Sequence, residues 1–131
     1  MFRDLTAELL RSGHAVRFQA DGRSMLPGIS PGAVLEVEPV ESDTCRAGQI
    51  LLFQSDGGRV LAHRLVRIET TNDGDRRYIT RGDNCFEEDP VWGDDALLGV
   101  VILVNGQHPP RRPSFWSWMI YRIQARLDRA K

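Results

Sequence analysis

The run QILLFQSDGGRVLAHRLVRIE, residues 49–69, decides the fold class. Residues 49–55 and 59–69 are each rich in Leu, Ile, Val and Phe, and Asp56-Gly57-Gly58 between them has the composition of a turn. The stretch therefore reads as two strands with a tight connection. The same alternation of strand and turn continues outward in both directions. Upstream stand AVRFQAD (15–21) and AVLEVEPV (33–40), with Pro27-Gly28 and Pro31-Gly32 between them. Downstream stand RRYIT (76–80) and LLGVVILV (97–104), set off by Asn72-Asp73-Gly74 and Gly82-Asp83-Asn84. Leu35-Glu36-Val37-Glu38 alternates only briefly, whereas Leu98 to Val104 reads as a strand buried on both faces. Strands and turns at this density, without intervening helices, predict a mainly β chain folded as a compact antiparallel domain.

Helical signals are confined to the ends. Phe2, Leu5 and Leu9 recur at helical spacing, acids come early, Arg11 comes late and Ser12-Gly13 offers a stop. Together they predict a short amphipathic helix over about residues 3–12. Three prolines, Pro109, Pro110 and Pro113, stiffen a connector at 108–113 that can continue neither strand nor helix. Beyond it Ser114 can cap a helix running through 114–131, with Trp116, Met119, Ile120, Ile123 and Leu127 on one stripe and Arg122, Arg126 and Arg129 on another. The expected division is a single β-rich domain over 1–107, the connector, and this C-terminal amphipathic helix. Phe115, Trp116, Trp118 and Tyr121 beside the arginines suit a helix lying on anionic lipid, while packing on the domain's own sheet or on a partner accounts for the same stripe.

At 131 residues the chain has room for one core, and its 41% hydrophobic and 27% charged content is that of an ordinary globular protein. Seventeen basic against eighteen acidic side chains give a net charge of -1, so no global field attracts phosphates and no nucleic acid partner is expected. Cys45 and Cys85 are too few for a disulfide-stapled scaffold and form no C-x-x-C pair. Free thiols are the expectation, with no metal site and no cofactor. Arg3, Asp4, Glu8 and Arg11 interrupt what a secretion signal needs as an apolar segment. The longest apolar stretch, residues 96–104, falls well short of the ~18 residues of a membrane-spanning helix. The corresponding expectation is a cytoplasmic protein, with peripheral membrane contact through residues 114–131 left open beside packing or partner contact.

Chemistry concentrates in three places. Gly22-Arg23-Ser24-Met25-Leu26-Pro27-Gly28 puts a serine between a flexible glycine and a proline-bounded turn just after a strand. A nucleophile requires this kind of setting, with a fixed hydroxyl and backbone N–H groups near a developing oxyanion. Ser beside Gly and Pro is also common in plain turns. The base is narrowed by composition: the chain has one lysine, Lys131, and its other sixteen basic residues are arginines, which stay protonated. Of three histidines, His14 follows the first helix, His108 begins the proline connector, and His63 lies among apolar residues on a strand. A lone strand histidine is commonly structural. The third place is Arg81-Gly82-Asp83-Asn84-Cys85-Phe86-Glu87-Glu88-Asp89-Pro90, where a turn gathers carboxylates. A histidine base needs one of them on its far nitrogen, and Asp83 and Asp89 are the candidates. Glu87 and Glu88 read as a solvated acidic loop.

Six ordered segments carry a resemblance: Gly22-x-Ser24-Met25-x-Pro27, Pro31-Gly32-x-Val34-Leu35, residues 47–53 (AGQILLF), residues 62–66 (AHRLV), Thr80-Arg81-Gly82-Asp83-Asn84 with Asp89 beyond, and Leu98-Gly99-Val100-Val101. Over roughly residues 18 to 104 they resemble the boxes of the type I signal peptidase family of serine proteases. His63-Arg64, where bacterial members use a lysine, is similar to the archaeal and endoplasmic reticulum branch. The resemblance implies the signal-peptidase/SOS-repressor peptidase fold, with Ser24 as nucleophile, His63 as general base, Asp89 as orienting acid and Asp83 as a second supporting acid. Gly22 stands where some members carry a serine that helps hold the oxyanion, so the resemblance leaves that task to backbone around Gly22 and Met25. It implies peptide substrates with small side chains near the cleaved bond. A histidine base further implies hydrolysis that declines in acid. Membrane-bound members place a spanning helix before the serine box, a role for which the N-terminal segment here is too short and too charged.

Other readings compete. A catalytically weak or inactive module could hold a peptide against a sheet edge. A self-cleaving repressor is disfavoured, because those relatives rely on lysine and the chain's only Ala-Gly bond, Ala47-Gly48, lies after the serine in a turn. A Cys85 and His63 thiol protease is formally open but has no box to support it. Neither oligomeric state nor natural substrate is written in the sequence.

Overall fold

The computed structural model describes residues 2–112 together with Met119, Ile123, Arg126 and Leu127. The chain forms α1 (Phe2–Arg11), then β1 (Val16–Gln19), β2 (Val34–Glu38), β3 (Ile50–Gln54), β4 (Val60–Thr70), β5 (Arg76–Arg81), β6 (Trp92–Gly93) and β7 (Leu97–Val104), with two short 3-10 turns. All seven strands belong to one antiparallel sheet in the order β1-β2-β7-β3-β4-β5-β6. The mainly β antiparallel architecture expected from the sequence is the one observed. The helix expected over 114–131 lies outside the described residues except at those four positions, all helical.

β3 sits at the centre. Leu51 and Phe53 face one hydrophobic cluster with Cys45, Leu65, Tyr78 and Trp92, while Ile50 and Leu52 face the other with Ala7, Leu10, Leu35, Val37, Leu98 and Val101. The sheet curls and is covered on both sides, so β3 reads as a continuous apolar run rather than an alternating one. The two-faced burial expected of Leu98 to Val104 holds only for its first half. Leu98 and Val101 join one cluster and Val100 packs on the other, but Ile102 to Val104 are half-buried because β7 there borders only β2.

α1 closes the end of one cluster with a different face from the one its spacing suggests. Leu5 is 53% exposed, and Thr6, Ala7 and Leu10 are buried instead. Small Ala7 lets the helix lie close on the sheet, and at Leu5 tertiary packing overrides the stripe the spacing suggests. The helix ends as Ser12-Gly13 suggests: His14 N–H donates to the Leu9 carbonyl, Gly13 N–H to that of Leu10, and Gly13 takes φ +90°.

Candidate active site

Each reactive group sits where strand periodicity directs it. In β4, Leu61, His63 and Leu65 point to the face that carries Tyr78 and Trp92, and His63 lies across from Leu51 of β3. Burial is nearly complete, at 5% exposure, and the Phe53 ring meets the imidazole edge-on at 6.1 Å. The next residue, Arg64, faces the opposite side.

Ser24 follows the extension of β1, in the loop that precedes the buried Met25 and the cis Leu26–Pro27 peptide. The 82–85 turn after β5 holds this loop. Asn84 N–H donates to the Ser24 carbonyl at 2.8 Å, and the Asn84 side-chain amide donates to the Arg23 carbonyl at 3.1 Å. Gly82 is the point of closest approach, since a Cβ there would stand 2.7 Å from the Ser24 carbonyl oxygen and 3.1 Å from Ser24 Cβ. Only a residue without a side chain lets the two loops meet.

These elements bring Ser24, His63 and Asp89 into one hydrogen-bonded series. His63 Nε2 lies 2.9 Å from Ser24 Oγ, and His63 Nδ1 lies 2.6 Å from Asp89 Oδ2. An ionised carboxylate only accepts, so Nδ1 carries the proton and Nε2 presents its lone pair to the serine hydroxyl. This tautomer is assigned from the hydrogen-bond pattern. Asp89 is fixed in turn by Thr80: its N–H donates to the Thr80 carbonyl at 2.8 Å, and the Thr80 hydroxyl donates to Oδ2 at 2.7 Å. Behind Thr80, the Trp92 indole N–H donates to Oγ1 at 3.1 Å.

Asp83, the other candidate carboxylate, lies away from the imidazole. It makes a two-point ion pair with Arg64 at 2.9 Å for each contact, both residues being buried, and its N–H donates to Met25 Sδ at 3.3 Å. Arg64 also donates to the carbonyls of Gly48 and Pro110, each at 2.7 Å. The pair ties the 82–85 turn, the serine loop and the proline connector to β4. Gly22 has φ +78° with open space around it, and Met25 is anchored in the core. Glu87 and Glu88 are exposed, and His14 and His108 lie on the surface.

Both cysteines are free. Cys85 donates toward the Ser24 carbonyl at 4.0 Å, and burial, reinforced by the charge of Asp89, pushes its thiol pKa up. A thiol held protonated and directed at a carbonyl is poorly suited to a thiolate mechanism with His63. Among the described residues no group of three His, Cys, Asp or Glu could hold a metal ion, and no helix is long and apolar enough to cross a membrane.

Three contributors were not singled out from sequence. Thr80 and Gly82 sit inside a quoted box, but nothing in their spacing marks a carboxylate partner or a close approach. Trp92 lies on the two-residue β6, too short to leave a periodic signature.

Beside Ser24 and His63 opens a cavity of about 280 Å³, walled by Phe18, Ala20, Ile29, Leu52, Val60 and Ala62, with Thr6 of α1 at one side. A hydroxyl on an oriented imidazole, at the mouth of a cavity whose walls also carry Asp21, Arg23 and Arg59, has the makings of nucleophilic acyl transfer.

No protein-family model and no solved structure matches the chain. Among curated proteins it is similar to the signal peptidase complex catalytic subunit SEC11C of Homo sapiens, Mus musculus and Canis lupus familiaris. Each is 32% identical over 105 residues, covering 66% of this chain and 55% of the relative. The chain thus spans about half the length of the curated relatives it matches. This similarity supports relating the chain to a type I signal peptidase-like family of peptidases.

Proposed function

We propose that the protein is a serine endopeptidase that cleaves peptide bonds through an acyl-enzyme on Ser24. The observation that carries this reading is the contact of 2.9 Å between Ser24 Oγ and His63 Nε2, with the far nitrogen 2.6 Å from Asp89. As Oγ attacks the scissile carbonyl carbon, its proton passes to Nε2. Asp89 orients the ring and stabilises the imidazolium. The tetrahedral oxyanion takes a hydrogen bond from the Ser24 backbone N–H, which has no acceptor among the described residues. Breakage of the C–N bond is accompanied by return of the proton from His63 to the leaving amine. Water then attacks the acyl carbon, giving its proton to His63, and Ser24 is released protonated.

Substrate enters as an extended peptide. Among the described residues β4 meets β5 only from Arg64 onward, so residues 60–63 offer a strand edge beside the cavity. A peptide strand laid there hydrogen-bonds to backbone and sets alternate side chains into the cavity. Peptides with small side chains near the cleaved bond are the substrates assigned, in keeping with the kinship to signal peptidase subunits.

The test is active-site labelling. A fluorophosphonate probe is expected to modify Ser24, as mapped by mass spectrometry, and to leave Ser24→Ala unlabelled. Wild-type protein that resists the probe and does not hydrolyse peptides, yet retains peptide affinity, would make it a binding module instead.

A further inference from the structure

We propose that Thr80 and Trp92 are positioning residues for the His63 base: the Trp92 indole commits the Thr80 hydroxyl to Asp89, and so fixes the carboxylate that holds the imidazole. The inference rests on the serine peptidase reading above and extends it to residues that never meet substrate.

The argument is one of donors and acceptors. A threonine hydroxyl has one proton and can also accept, an indole N–H only donates, and an ionised carboxylate only accepts. With the Trp92 N–H delivered to Thr80 Oγ1 at 3.1 Å, the hydroxyl proton is left for Asp89 Oδ2 at 2.7 Å. That same Oδ2 receives His63 Nδ1–H at 2.6 Å. Every bond in the series from Trp92 to Ser24 therefore has one direction, and no member can reverse without leaving another unsatisfied.

The far end of the series is held rigidly. The Trp92 ring is stacked between Phe53 at 4.4 Å and Tyr78 at 4.3 Å, with interplanar angles of 10° and 5°. Tyr78 is pinned through its own hydroxyl, which donates to Asp94 at 2.6 Å. The indole cannot turn without breaking both stacks. Thr80 is excluded from solvent, so water cannot replace either of its bonds. Asp89, by contrast, lies on an irregular segment with side-chain exposure of 14%, and no strand fixes its rotamer. The Thr80 main chain and side chain supply that restraint. Neither Thr80 nor Trp92 borders the cavity beside Ser24, so both act through Asp89.

The experiment compares Thr80→Val, which keeps shape and loses the hydroxyl, with Thr80→Ser, which keeps the hydroxyl, and with Trp92→Phe, which keeps the stack and loses the N–H. Two readouts are taken on the full chain. One is inactivation by a fluorophosphonate, resolved into its maximal rate and half-saturating concentration. The other is the hydrogen-exchange rate of His63 Nδ1–H by proton NMR, its signal assigned by its loss in His63→Gln. Thr80→Val is expected to lower the maximal rate by about tenfold or more at unchanged half-saturation, as expected from loosening an oriented base. Its Nδ1–H exchanges faster, Trp92→Phe shifts both readouts the same way to a smaller extent, and Thr80→Ser matches wild type. A Thr80→Val protein with wild-type rate and exchange overturns the proposal, as does a Thr80→Ser protein impaired as badly as Thr80→Val. Should Thr80→Val fail to fold, Trp92→Phe makes the same comparison. Should the probe not label wild-type Ser24, the peptidase reading fails, and unchanged exchange in the variants would then separately overturn the positioning role.

Discussion

Replacing Gly82 by alanine measures how tightly the serine loop depends on the turn behind it. The added Cβ would stand 2.7 Å from the Ser24 carbonyl oxygen, 2.7 Å from Cys85 Sγ and 3.1 Å from Ser24 Cβ. Cys85 can turn its side chain aside, but the carbonyl is backbone and is itself held by Asn84 N–H at 2.8 Å. Ordinary contact begins near 3.4 Å, so the loop must retreat by roughly 0.7 Å. If that retreat passes fully to Ser24 Oγ, its distance to His63 Nε2 grows from 2.9 Å to roughly 3.6 Å, outside hydrogen-bond range. A misplacement of ~1 Å costs on the order of 100-fold in rate, so Gly82→Ala is expected to slow fluorophosphonate labelling by roughly tenfold or more. Overpacking adds a loss of about 1–3 kcal/mol in stability, seen as a lower Tm. Gly57→Ala is the control, because that glycine has open space around it and no left-handed backbone. Labelling of Gly82→Ala at the wild-type rate, with Tm unchanged, would refute the claim that the turn presses on the serine.

The buried ion pair gives a second expectation. Asp83→Asn leaves Arg64 charged, buried and unmatched, and is expected to cost about 3–5 kcal/mol by denaturant titration; the double variant Arg64→Met with Asp83→Leu is expected to recover much of it. A third concerns alkali. Burial, followed by the Asp94 hydrogen bond, pushes the Tyr78 phenol pKa well above its ordinary value of 10.0. The folded state therefore holds this proton more tightly than the unfolded chain, so the contribution to stability is complete below about pH 10 and is lost as pH rises further. Tyr78→Phe is expected to flatten the fall of Tm between about pH 10 and pH 12, and an equally steep fall in the variant would count against the assignment.

The strand series was legible because its signals are local. Asp56-Gly57-Gly58, Asn72-Asp73-Gly74 and the β-rich runs between them mark where the chain extends and where it turns back, and six of the seven strands coincide with those runs. β6 escaped because two residues have no period, and its existence depends on Trp92 finding the Tyr78 ring across the sheet. The face of α1 was misread for a related reason: Leu5 is as apolar as Leu10, and only contact with the sheet decides which of them is covered. Ser24 stood out by its Gly and Pro setting and the box it shares with the resembled family, while composition narrowed the base, since the chain's only lysine is Lys131 and it has three histidines.

Sequence by itself determined a β-rich antiparallel chain, the residue types available for acid–base chemistry, and the short list of carboxylates that could serve His63. The family resemblance pointed to Asp89, and only the tertiary structure shows which carboxylate contacts the imidazole. Asp83 and Asp89 are six positions apart in one acidic segment, yet Asp83 turns to Arg64 on one side of β4 while Asp89 meets His63 on the other. Their roles follow from β4 itself: successive side chains point to opposite faces, so neighbouring His63 and Arg64 recruit different partners from the same loop. Composition carries no record of which face a distant loop will reach, because that is fixed only when β5 pairs with β4 and the 82–85 turn closes on Ser24.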